Sequence, residues 1–170
     1  MMYNDRFSNK AEAALKLAVG MAGILGQGYV GTEHILLGLL KEGTSAAAQV
    51  LAAHGVDEER VTALIRQLIA PASPVAERGG YSPRAERALE NSYREAAQFK
   101  SPLIGTEHIL IAMLKDGECS ATRLLTTMNV NIQRMYVDLL NSMGADTSQY
   151  KEELEGKRGK DKSDTPTLDS

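Results

Sequence analysis

A six-residue block, Gly31-Thr32-Glu33-His34-Ile35-Leu36, recurs unchanged as Gly105-Thr106-Glu107-His108-Ile109-Leu110, 74 residues further along a chain of 170. The flanks align at the same offset: Phe7-Ser8 meets Tyr81-Ser82, Ala11-Glu12 meets Ala85-Glu86, and Leu40-Lys41 meets Leu114-Lys115. Such self-similarity marks an internal duplication, in which one unit folds twice and stacks on its copy. Whatever one half does, the other is expected to do too.

Each half is punctuated as four helices. Ser8 and Ser82 stand where a hydroxyl caps a first helix, and Pro83 occupies a first-turn position that needs no N–H. The buried stripe of that helix would be Ala11, Leu15, Ala18, Ala22 and Leu25. Thr32 and Thr106 are expected to cap the second helix, closed by left-handed glycines at Gly43 and Gly117. A third helix runs from about 45 to 54 and from about 120 to 128, ending at Gly55 and Asn129. Asp57 and Asn131 then cap a fourth. Four helices of about 11 residues with connections of about 4 to 6 come to roughly 60 to 70 residues, which leaves little of the period for a sheet.

Composition agrees with an all-α fold: aromatic residues are 5% of the chain, there is no Trp, and 43% apolar content supplies a core. The expected organisation is a first repeat at 1–70, a linker at 71–80 rich in Pro and Gly, and a second repeat at 81–144 about a pseudo-twofold axis. A charged tail follows at 145–170, in which Tyr150 to Glu155 could form a frayed helix. A net charge of −3 gives no basic footprint for nucleic acid. The single Cys119 forbids an intramolecular disulfide and suits a reducing, cytoplasmic setting, and no apolar run approaches the roughly 18 residues of a membrane span.

Glu33 and Glu107 follow the capping Thr directly, at a helix start where unpaired N–H groups and the dipole favour an anion. Local helix-start chemistry accounts for such a carboxylate about as well as a binding role does. His34 and His108 lack partners at metal-ligand spacing and are read as structural, as is His54 at a helix end. Cys119 has no base readable nearby, and no phosphate loop, Gly-x-Ser-x-Gly or His-Glu-x-x-His occurs. No catalysis and no cofactor is expected of this segment. A small hydrolase built on the Glu-His pairs would lack both nucleophile and metal set.

Two copies of Phe/Tyr-Ser-x-Lys/Arg-Ala-Glu, then Gly-Thr-Glu-His-Ile-Leu, then Leu-Lys-Glu/Asp-Gly, resemble the double Clp N-terminal domain of ClpC-type bacterial AAA+ unfoldases over about residues 1 to 144. The tail segment Asp164-Thr165-Pro166-Thr167-Leu168-Asp169 is similar to the approach to the first ATPase module of such proteins, so the chain is expected to be an N-terminal piece of a longer one. The resemblance implies a module that docks substrate and adaptor proteins on an ATPase ring feeding a separate peptidase, with no nucleic acid or membrane as partner. It further implies one pocket per repeat for phosphorylated arginine. Glu33 and Glu107 would hold the guanidinium, Ser8 and Ser82 would stand near the phosphate, and Thr32 and Thr106 would frame the helix starts. Glu12 and Glu86 place negative charge four residues past each Ser, with Arg6, Lys10 and Arg84 as nearby basic residues. The competing reading is a free-standing helical-repeat adaptor or scaffold without an ATPase.

Overall fold

A computed structural model describes residues 6–69 and 80–144. Eight helices follow in order: α1 Asn9–Ile24, α2 Thr32–Glu42, α3 Ala46–Ala53, α4 Glu58–Leu68, α5 Pro83–Gln98, α6 Thr106–Lys115, α7 Ser120–Thr127 and α8 Ile132–Ser142. The linker expected at 71–80 lies outside the described residues except for Gly80, and so does the tail at 145–170. Four helices are thus described in each repeat. None of the eight is long and apolar enough alone to cross a membrane.

The local signals act as their chemistry requires. Ser8 Oγ accepts the Ala11 N–H at 3.1 Å and Ser82 Oγ accepts that of Ala85 at 3.1 Å. Asp57 and Asn131 do the same for Arg60 and Arg134. Gly55 and Asn129 are left-handed, with φ of 79° and 66°. All five predicted stripe residues of α1 are buried.

Two expectations are corrected. The N-cap of α2 is Gly31 and that of α6 is Gly105, so Thr32 and Thr106 are first helical residues and do not cap their own helices. Gly43 is left-handed at 76°, but Gly117 is not. In the second repeat the chain leaves α6 through extended Asp116, whose carboxylate accepts the Glu118 N–H at 3.0 Å and pairs with Arg84 at 2.9 Å. The aspartate side chain satisfies the turn, and no left-handed residue is needed there.

Helices α2 and α6 form the centre. Every residue from Thr32 to Leu39 is buried, as are Thr106 and His108 to Leu114, which is the all-round burial of a central helix. α1 packs chiefly on α2 and α5 on α6, and one continuous core runs through both repeats.

The repeats are joined by exchanged contacts. Phe7 bridges Ile104 and Val30 bridges Tyr81, each pair the image of the other at the repeat offset. Thr32 Oγ1 accepts the Ala121 N–H at 3.0 Å in the first turn of α7, and Thr106 Oγ1 accepts the Ala47 N–H at 3.4 Å in the first turn of α3. Each threonine thus caps the third helix of the opposite repeat. This reciprocity is the signature of a twofold-like interface within one chain. His54 Nε2 adds a 2.7 Å contact to Asp138 across the same boundary. Removing either hydroxyl leaves a buried N–H unpaired, so Thr32→Val and Thr106→Val should each lower the unfolding free energy by about 1 kcal/mol in urea titration. The two effects arise at separate caps and should add.

Candidate functional site

The repeated block of each half builds a helix start closed by its own histidine. His34 Nδ1 accepts the Gly31 N–H at 2.8 Å, and His108 Nδ1 accepts the Gly105 N–H at 2.9 Å. A glutamate or glutamine normally reaches back from this third helical position; here imidazole does so, with its proton assigned to Nε2. Burial pushes the His34 pKa down to about 4. Burial also lowers that of His108, against the opposing pull of Glu107. The structural reading of both histidines stands.

The glycines serve the glutamates. Gly31 and Gly105 have ordinary extended backbones, but a Cβ on either would sit 2.8 Å from the carboxyl carbon of Glu33 or Glu107. Each carboxylate therefore folds back over its own helix start, where free N–H groups offset its charge.

The serines of each repeat are bonded through their main chain to the segment that precedes the other repeat's helix opening. Ser8 N–H donates to Ile104 O at 2.9 Å and Ile104 N–H to Arg6 O at 2.7 Å, which sets Ser8 beside the chain entering α6 and Glu107. By the same exchange, Ser82 N–H donates to Val30 O at 2.9 Å, which sets Ser82 beside the approach to Glu33. Both Ser hydroxyls already accept a helix-capping N–H, leaving their own proton to donate. Thr32 and Thr106 lie at the same openings, with their hydroxyls turned to the caps of α7 and α3.

The surrounding charges are largely committed. Arg84 pairs with Asp116, Lys10 reaches Thr44 O at 3.4 Å, and the Arg6 guanidinium lies 5.5 Å from the Tyr93 ring centre. Glu12 and Glu86 are exposed in the first turns of α1 and α5.

Two residues went unnoticed in the sequence. The Tyr29 hydroxyl donates to Glu33 Oε2 at 3.3 Å, and Ser120 at the start of α7 lies close enough to favour the charged carboxylate. Glu33 is 2% exposed, and burial raises its pKa, opposed by its own N–H, Tyr29 and Ser120. The four-residue spacing from Tyr29 to Glu33 was the available signal. Ser120 comes from the other repeat and gave none.

Cys119 is buried with its thiol directed to Met113 O, and no group of three or more His, Cys, Asp or Glu residues able to hold a metal occurs among the described residues.

The family described as Clp repeat (R) N-terminal domain matches residues 6–128. The chain is 35% identical over 170 residues to a curated Bacillus subtilis protein called negative regulator of genetic competence ClpC/MecB, covering all of this chain and 20% of that one. It also resembles the N-terminal domain of the chaperone ClpD from Arabidopsis thaliana, with a TM-score of 0.68 and 23% identity over 82% of this chain and 98% of that domain. A ClpV N-domain solved in complex with a VipB peptide aligns with a TM-score of 0.63 and 17% identity, over 78% and 83% of the two chains. The chain spans about a fifth of the length of the curated relatives it matches.

Proposed function

Because the chain belongs to the Clp repeat N-terminal domain family, we propose that it docks substrate and adaptor proteins for an ATP-dependent Clp-type unfoldase, gripping them at the two helix openings and doing no chemistry itself. The observation that carries this reading is the crossed main-chain bonding that holds the Ser82 segment to Val30, three residues before Glu33, and the Ser8 segment to Ile104, three residues before Glu107. A ClpV N-domain holding a VipB peptide is a precedent for peptide docking on this fold.

The ligand chemistry that fits is an arginine bearing a phosphate. A carboxylate accepts only, matching the planar N–H donors of a guanidinium, while a serine hydroxyl and a helix-start dipole suit the phosphate. Two such openings on one domain with a shared core allow bivalent capture, which raises apparent affinity by about 10²-fold or more when both engage. Parent ATPase and peptidase belong to this same reading.

Titration with phosphoarginine, followed by amide NMR, tests it. Shifts should fall into two groups, one joining Ser8 to Glu107 and the other joining Ser82 to Glu33. Glu107→Gln should abolish the first group and Glu33→Gln the second. Unchanged spectra at millimolar ligand refute the ligand assignment, and equal binding of plain arginine refutes a role for the phosphate.

A further inference from the structure

The duplication supplies an internal control for each opening, because every residue has a counterpart in the other repeat. The counterpart of Tyr29 is Leu103, which is 46% exposed, and that of Ser120 is Ala46. Neither has a hydroxyl. Glu33 is buried and accepts the Tyr29 hydroxyl, whereas Glu107 is only half-buried and receives no side-chain hydrogen bond among the described residues. Both carboxylates otherwise share the same glycine, the same folded-back conformation and the same histidine cap.

We infer that the two openings are graded: Glu107 forms the open one, which takes a guanidinium ligand directly, and Glu33 is latched by Tyr29, whose hydroxyl a ligand must displace. The inference rests on the docking function proposed above. An arginine side chain needs the lone pairs of the carboxylate, and at Glu33 part of that acceptor capacity is already used. Tyr29 is therefore a specificity-determining residue. It lets the domain engage a singly marked partner at the Glu107 opening while reserving the second for a partner already tethered by the first, whose effective concentration is high enough to compete with the hydroxyl.

The test exchanges the latch between repeats. Phosphoarginine is titrated by NMR into the unaltered chain, Tyr29→Phe and Leu103→Tyr, reading each opening separately from its own amides. In the unaltered chain the Glu107 opening should fill first. Tyr29→Phe keeps the ring and removes only the hydroxyl, and should tighten the Glu33 opening by about tenfold, the scale of one hydrogen bond to a charged group. Leu103→Tyr, at an exposed position, should weaken the Glu107 opening. Equal filling of both openings, or no change in their ratio in Tyr29→Phe, overturns the grading while leaving the docking function intact. Absence of binding at both openings in all three proteins overturns the ligand assignment and the grading with it.

Discussion

Replacing Gly38 by alanine should lower the unfolding free energy by about 2 kcal/mol, although alanine is the better helix former. Gly38 lies inside α2 where that helix meets α1. A Cβ there collides with the backbone carbonyl of Ala14 and lies 2.9 Å from the Ala18 nitrogen. Helix propensity favours alanine by about 1 kcal/mol. Overpacking costs about 1 to 3 kcal/mol, and the upper end applies because the obstructing atoms are main chain and cannot rotate away. Crowding wins. The counterpart in α6 is Ala112, buried at 2% exposure, so the second repeat accommodates the methyl group that the first excludes. Urea titration of Gly38→Ala checks the sign, and Gly38→Val should fail to accumulate as folded protein. Wild-type stability in Gly38→Ala would mean that α1 and α2 can separate at little cost.

Acid should destabilise the domain before its carboxylates titrate in bulk. His34 has a folded pKa of about 4 against an ordinary value of 6.5, because burial penalises the cation. A group depressed in this way contributes nothing to pH dependence above its unfolded pKa. As pH falls from 6.5 towards 4 the unfolded chain takes up a proton that the folded chain refuses, so stability declines through that window and levels off below it. The loss approaches about 3 kcal/mol for His34, with His108 adding in the same direction. Protonation would also set Nδ1–H against the Gly31 N–H, two donors facing each other, and so break the cap. Glu33 acts oppositely: its raised pKa makes the folded state the better proton acceptor as pH falls, which offsets part of the decline. Double replacement of His34 and His108 by Gln keeps a capping side chain at the third helical position and removes the titration. That variant should hold its neutral-pH stability and lose the slope between pH 6.5 and 4. A slope that survives the double replacement would assign the acid sensitivity to other groups.

What could be read from the residues alone divides by distance along the chain. Ser8, Ser82, Asp57 and Asn131 act on an N–H three residues away, so their caps were legible. Gly55 and Asn129 were legible for the same reason, since left-handed backbone is a local property. The tasks of Thr32 and Thr106 were hidden because their partners lie 89 and 59 residues away. A threonine before an apolar run looks like a cap for its own helix, and here it caps another. Gly117 misled because Asp116 beside it could close the turn by a different route. The candidate carboxylates stood out through repetition, but repetition also concealed their difference, which resides in Tyr29 outside the repeated block.

The crossed bonding between the repeats has a mechanical consequence. Since Ser8 is held by Ile104 and Ser82 by Val30, each opening is assembled from both halves, and the separation between them is fixed by main-chain hydrogen bonds. The molecule behaves as a caliper of set gauge. On the docking function proposed above, a client touching both jaws would be selected for the interval between its own contact points as well as for their chemistry.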